Sequence, residues 1–448
     1  MRRSQKPETA PIWRDPRPPP DARACALDIF HDTLRHGRAF DEGFAAHESL
    51  RKLAARDRAF VRLLIATALR RLGQIDAVLA ACIDREVPAR HAIVCDILRL
   101  GCAQLLFLKT PAHAAVDTAV RMTNERGRGA YKGLVNAVLR RVSRTGEEMI
   151  AAQDAAKLNT PEWLWQSWAA AYGEDAARAI AGANLEEPPL DISVKADAVK
   201  WAANLGGTVL ATGTVRRAAH THAGPVTELP GFADGAWWVQ DAAAAIPATL
   251  FGDVSGKTVI DLCAAPGGKT AQLAAKGAKV MALDSSRSRI DLVAENLKRL
   301  KLEAELVRDD ALTWRPREPA PFVLLDAPCT ATGAMRRHPD IAHLKTLADV
   351  KRLAALQDRL LDAAAQMVAR GGCLIYCTCS LQKEEGPDRI AAFLARTKEF
   401  SREPIGAAEV GGLDALINKE GDLRTLPFQL RESGGIDGFY AARLRRRP

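Results

Sequence analysis

The chain reads as a multidomain α and α/β protein: an all-α N-terminal bundle, a small α+β connector, and a C-terminal α/β domain on a mostly parallel sheet. Three observations predict this. From about Asp21 to Ser143 apolar residues recur every three or four positions with few β-branched runs, the period of helices with one buried face. Residues 190–235 mix short strand-like runs with turns. From Trp237 onward apolar strand-like runs alternate with helical ones, the signature of parallel strands joined by crossover helices on both faces. The expected divisions are 1–20, 21–148, 149–235 and 236–448.

Each part has its own signals. Residues 1–20 hold six prolines and few apolar residues, and are expected to form a disordered basic tail. In the bundle, the stripes of 21–30, 57–64 and 92–100 repeat one periodicity, and 133–141 is expected to end it with a basic last turn. Cys25, Cys82, Cys95, Cys102 and Met122 lie on such stripes and read as packing residues. A second helical stretch follows, with Thr160-Pro161-Glu162-Trp163 expected as cap and first turn. Leu190–Val194 reads as a strand of the connector. The C-terminal domain then offers strands at 259–263, 280–284, 305–308, 322–326 and 373–377, with helices at 271–276, 288–300 and 353–369.

Composition narrows the function. No stretch approaches the roughly 20 apolar residues of a membrane span, and the N-terminus lacks the pattern of a secretory signal. Nine cysteines, an odd number without regular pairing, suit a reducing cytoplasm. Residues 1–150 hold 26 Lys+Arg against 17 Asp+Glu, a net of +9, so the other 37 basic and 37 acidic residues cancel. Concentrated positive charge favours a polyanion such as RNA through counterion release, although a solvated basic surface would look the same. Nothing demands more than a monomer.

The chemistry concentrates in three places. Asp261-Leu262-Cys263-Ala264-Ala265-Pro266-Gly267-Gly268-Lys269-Thr270 is a glycine turn between a strand and a helix. It has neither the dinucleotide nor the P-loop spacing. Asp284 ends the next strand, where nucleotide folds place an acid on the ribose. Asp310 follows the third strand and Asp326 the fourth. A nucleoside without a pyrophosphate fits this set, and S-adenosylmethionine is such a ligand. Cys329 and Cys379 each close an apolar strand, in Asp326-Ala327-Pro328-Cys329 and Thr378-Cys379-Ser380. A thiolate adding to C6 of a pyrimidine makes C5 nucleophilic enough to take a methyl group, on a base that has left its stack. One thiol suffices, and the residues alone do not say which attacks. Two inert buried thiols or a disulfide switch remain alternatives, while no cysteine–histidine cluster completes a metal site.

These elements resemble the NOL1/NOP2/Sun family of RNA cytosine-5 methyltransferases. The likeness rests on 261–270, Asp284, Asp310, Asp326–Cys329, Arg336-Arg337-His338-Pro339-Asp340, Thr378-Cys379-Ser380 and Asp437-Gly438-Phe439-Tyr440-Ala441. Residues 21–145 are similar to the NusB-type RNA-binding domain, including 56–60 and 135–141. The combination is typical of the bacterial Sun/Fmu branch, which modifies 16S ribosomal RNA.

The resemblance implies a Rossmann-like class I methyltransferase domain, with Cys379 as nucleophile and Cys329 assisting product release. Asp326 would orient the base, Lys269 would belong to the catalytic and cofactor pocket, and S-adenosylmethionine would contact Cys263 to Lys269, Asp284, Asp310 and Asp326. One departure stands out. Ser193 and Lys195 occupy the places of the family's Arg and Asn after Pro189, so RNA contacts of the connector are expected to differ. The same chemistry on a transfer RNA or another ribosomal cytosine, or an inactive RNA-binding module, are the competing functions.

Overall fold

The computed structural model describes residues 21–219 and 224–448, so the tail expected over residues 1–20 lies outside the described residues. The bundle consists of α1 (Ala22–His36), α2 (Phe40–Ala46), α3 (Ala55–Arg70), α4 (Leu72–Cys82), α5 (Ala92–Cys102), α6 (Ala112–Glu125) and α7 (Lys132–Ala151). Asp21 starts α1 because its carboxylate accepts from the Arg23 amide at 2.8 Å, satisfying an N–H that the helix leaves unpaired. Gly37, at φ 70°, ends it in a left-handed cap. The stripes converge on one apolar core that holds Leu27, Phe30, Leu64, Ile97 and Leu139. Cys25, Cys82, Cys102 and Met122 are buried in it and Cys95 half so. The basic turn expected to close the bundle is mid-helix instead: α7 runs past it, and past residue 148, to Ala151.

The connector begins with α8 (Ala155–Leu158), α9 (Glu162–Tyr172) and α10 (Glu174–Ala183). Thr160 does not cap α9. Its hydroxyl donates back to the Ala156 carbonyl at 2.8 Å, and Pro161 holds the cap position. Next come β1 (Leu190–Val194), α11 (Ala198–Leu205), β2 (Thr208–Val209), β3 (Val215–Arg217) and β4 (Trp237–Val239), in the antiparallel order β2-β3-β1-β4. Trp237, expected to open the α/β domain, therefore closes the connector sheet, where its buried indole packs on Ile192 and Leu205. A buried pair fastens the connector: both Arg216 Nε and Nη2 donate to Asp191 at 2.6 Å, and Nη1 reaches the Gly435 carbonyl at 2.6 Å.

The C-terminal domain runs α12 (Ala242–Thr249), β5 (Thr258–Leu262), α13 (Gly268–Ala275), β6 (Lys279–Leu283), α14 (Arg287–Leu300), β7 (Glu305–Val307), β8 (Ala320–Asp326), α15 (Ile341–Leu344), α16 (Leu347–Met367), β9 (Val368–Thr378), α17 (Pro387–Arg396), β10 (Phe400–Arg402), β11 (Leu423–Thr425) and β12 (Phe439–Arg446). The sheet order is β10-β12-β9-β8-β5-β6-β7, with β11 on β12. Strands β5 to β9 pair in parallel, whereas β12 is antiparallel to each of its neighbours. The core strands bury both faces, as continuous apolar runs such as Val323-Leu324-Leu325 require. Helix α16 covers one face with Leu353, Leu360, Leu361 and Ala364, and a capping box between Thr346 and Asp349 fixes its start. From β5 the chain moves outward to β6 and β7, then returns across to β8 and β9. That reversal between β5 and β8 is a topological switch point, and such sheets bind ligands in the crevice outside the carboxyl ends of the strands there.

Candidate active site

The expected residues gather at and just beyond the strand ends, with Lys269 on the first turn of α13. Cys263 leaves β5 with φ 60°, a left-handed conformation that costs energy for any residue but glycine. The loop then turns through Gly267 at φ 96° into α13. A Cβ on Gly267 would meet Val293 of α14 at 3.1 Å, and one on Gly268 would meet Gln240 at 3.4 Å. The two glycines thus serve the tight turn and its packing against protein. Asp284, at the end of β6, is buried. Its carboxylate accepts from the amides of Ala265 at 3.3 Å and Ser286 at 3.1 Å, and pairs with Arg289 at 3.2 Å. Asp310 is exposed beyond β7, where one oxygen accepts from the Leu312 amide at 2.9 Å.

At the root of the loop Asp261 is fully buried. Thr270 donates to one of its oxygens at 2.6 Å, and the other has no partner. Burial pushes this carboxyl up to about 7, with the Asp326 charge adding to it against the Thr270 hydrogen bond. Lys269 lies 2.6 Å from Asp326. Burial works most strongly against its ammonium, but the Asp326 charge, the hydrogen bond to that carboxylate and the neighbouring Cys377 and Asp261 together hold it protonated above the ordinary lysine range. The ammonium also sits over the Phe439 ring at 5.1 Å. Burial, then the acids Asp326 and Asp284, push the Cys263 thiol up to about 12, so it stays neutral.

The two strand-end cysteines meet. Cys329 Sγ and Cys379 Sγ are 3.5 Å apart, both half-buried and both free thiols. β8 and β9 are adjacent and parallel with Asp326 opposite Cys377, so residues just past each end face one another. Cys329 is held well above the ordinary thiol range, first by its hydrogen bond with Cys379, then by burial. Cys377, within β9, is fully buried 3.6 Å from Asp326 and is also pushed up by burial. An ion-paired Asp–Lys edge and a hydrogen-bonded thiol pair thus lie together at the ends of β8 and β9.

Two family descriptions match the chain: 16S rRNA methyltransferase RsmB/F over residues 248–445 and NusB family over residues 20–144. It is 36% identical over 387 residues to Ribosomal RNA small subunit methyltransferase B of Cronobacter sakazakii, covering 83% of this chain and 90% of that one. With the protein of the same name from Pseudomonas putida it shares 38% over 413 residues, 88% of this chain and 92% of the relative. The chain belongs to the RsmB/F family. Among solved structures, that of PH0851 matches 95% of this chain with a TM-score of 0.73 at 23% identity, and covers 98% of its own length. A methyltransferase homolog from Pyrococcus horikoshii matches 63% of this chain and 93% of its own at TM-score 0.51 and 25% identity.

Sequence reasoning named Arg337 and Asp437 only within their motifs, without a role at this RsmB/F protein's site, and did not name Glu385 at all. Arg337 donates from Nε to Asp437 at 2.7 Å, beside Asp241, tying the loop after β8 to the entry of β12. Glu385 lies buried beneath both thiols, though Lys383-Glu384-Glu385 reads as a solvated charged turn. Its signal was its position six residues past Cys379. Ser193 donates to Gln240 at 2.8 Å from inside the connector sheet, and Lys195 bonds the Leu300 carbonyl, so both departing positions hold protein here. Among the described residues no cluster of acids, histidines and cysteines could hold a metal, and no helix is long and apolar enough to cross a membrane.

Proposed function

We propose that this protein methylates C5 of a cytosine in 16S ribosomal RNA with S-adenosylmethionine, through a covalent bond between Cys379 and C6 of the base. The observation that carries this reading is the pair of free thiols 3.5 Å apart beside the Asp326–Lys269 pair, at the crevice of the sheet. The donor set fits the cofactor. Asp284 and Asp310 suit a ribose and an adenine edge, and the unpartnered buried oxygen of Asp261 suits an ammonium. Cys263 to Lys269 would line the same pocket. Bound there, S-adenosylmethionine supplies a methyl group on a cationic sulfur.

The chain's own residues do the rest. Cys379 attacks C6 as the thiolate, and the C5–C6 π pair becomes the nucleophile that takes the methyl group. Asp326 would accept from the exocyclic amine of cytosine, which uracil replaces by a carbonyl that cannot donate. Lys269 pairs with that carboxylate at 2.6 Å and would hold it in place. Transfer of the C5 proton to water returns its electron pair to C5–C6 and expels Cys379 as a thiolate, with Cys329 assisting release. The basic bundle and its NusB family match support a hold on the RNA backbone, and a ribosomal substrate supports a cytoplasmic site of action.

The test is covalent trapping. Cys329→Ala should accumulate an RNA–protein adduct on denaturing gels, and Cys379→Ala should abolish adduct and methylation alike. Methyl transfer that survives Cys379→Ala overturns the mechanism. Bisulfite sequencing of total RNA from a deletion strain should lose one 16S cytosine, and loss at a transfer RNA instead would move the substrate.

A further inference from the structure

Glu385 is fully buried, and its carboxylate reaches both cysteine loops. On the Cys329 side it accepts from the Thr330 amide at 2.9 Å and from the Thr330 hydroxyl. On the Cys379 side it accepts from the Ser380 hydroxyl at 2.6 Å. From α16, Gln357 Nε2 lies 3.2 Å from it and donates to the Pro328 carbonyl at 2.9 Å. The backbone carbonyl of Glu385 is engaged too, accepting from Tyr376 Oη at 2.7 Å and Thr378 Oγ1 at 3.3 Å of β9. Thr330 and Ser380 are the residues immediately after the two thiols.

Burying a carboxylate is expensive unless it is paired. Among the described residues no lysine, arginine or histidine pairs with this one, and every donor it has is neutral. A neutral side chain would fill the space more cheaply. What a carboxylate offers is two oxygens with lone pairs enough for four donors arriving from three segments. We propose that Glu385 is a positioning residue for both cysteines, tying the Cys329 and Cys379 loops to one buried carboxylate and so fixing the spacing between them. This rests on the thiol chemistry proposed above.

The charge gives the clamp a second effect. Glu385 adds to the forces that keep Cys329 protonated, after its bond to Cys379 and burial. Tyr376 is the other titratable group facing it and is held neutral chiefly by burial. Arg424, which donates to the Ser380 carbonyl at 2.7 Å, lies beside the clamp without pairing with its carboxylate. Negative charge is thus steered away from Cys329, the thiol assigned to release.

The experiment compares Glu385→Gln and Glu385→Ala with Glu384→Gln, a change at the exposed neighbour. Misplacing reacting groups by about 1 Å costs on the order of 100-fold. Glu385→Ala should therefore lower kcat about 100-fold, and Glu385→Gln, which keeps one acceptor oxygen, about 10-fold. RNA KM and S-adenosylmethionine affinity by calorimetry should change less than about 2-fold, with Glu384→Gln like the parent. In a Cys379→Ala background, Glu385→Gln should also speed alkylation of Cys329 by iodoacetamide. Should Glu385→Ala fail to fold, the Gln variant and the alkylation rate still decide. A folded Glu385→Gln with parental kcat and parental Cys329 alkylation overturns the inference. A parent protein that forms no RNA adduct overturns the underlying reading instead.

Discussion

Asp261 shows how a single residue is set apart by where it is buried. Its folded-state value near 7 lies above the 3.8 of an ordinary aspartate, so the fold prefers the protonated form. The stability it contributes is full below about pH 4 and is lost as pH rises towards 7. Between pH 5 and 8 that loss is about 2–3 kcal/mol, since each tenfold difference in proton affinity between folded and unfolded chains is worth about 1.4 kcal/mol. Asp241, also pushed up to about 7, by burial and then by Asp437, loses stability over the same interval. Asp261→Asn should therefore shrink, without abolishing, the fall in unfolding temperature from pH 5 to pH 8. Scanning calorimetry at both values measures it, and an undiminished fall in the variant would show that Asp261 is ionised in the fold. The same residue-level view explains the connector departures, because Ser193 and Lys195 are already committed to Gln240 and Leu300.

At the scale of elements, glycines separate permissive from forbidding positions. Gly133, in the first turn of α7, would place a Cβ in open space, whereas a Cβ on Gly333 would meet the Gly438 carbonyl oxygen at 1.9 Å. Gly133→Ala should stabilise by about 0.5–1 kcal/mol through lost unfolded-state freedom. Gly333→Ala should cost on the order of 3 kcal/mol or more, because backbone has to move. Thermal melts of the two variants should shift in opposite directions, and equal shifts would refute this. The contrast also shows what the sequence made legible. Strands β5, β6, β8 and β9 and the acids and thiols at their ends were readable, since continuous apolar runs and strand-end motifs are local. The packing of Gly333 between Cys379 and Gly438 was not, because it joins segments about a hundred residues apart in register rather than in pattern. Trp237 was assigned to the wrong sheet for that reason, its partner β1 lying far upstream. Glu385 was hidden by composition, as a buried acid beside charged neighbours looks like a surface turn.

At the scale of the molecule, one short segment couples the bundle to the chemistry. Arg337 of the loop after β8 grips Asp437 beside the thiols, while its neighbours face the other way. His338 pairs with Asp41 at 2.8 Å, Asp340 accepts from the Phe40 amide at 2.9 Å, Arg70 donates to the Arg336 carbonyl at 2.9 Å, and His343 meets the Leu69 carbonyl at 3.0 Å. On the function proposed above, RNA held by the bundle would thereby be registered against the crevice through residues 336–343. Asp340 is buried in this seam, so removing its carboxylate leaves the Phe40 amide without an acceptor at a cost of about 1–3 kcal/mol. That loss falls on the docking of the two parts rather than on either core. Asp340→Ala should split a bundle transition from the main unfolding transition in scanning calorimetry and raise the KM for RNA several-fold. Its affinity for S-adenosylmethionine should be unchanged, since Asp340 lies outside the loop and strand-end acids proposed to hold the cofactor. A variant that still unfolds in one transition with parental KM would mean that the bundle is held by its apolar contacts alone.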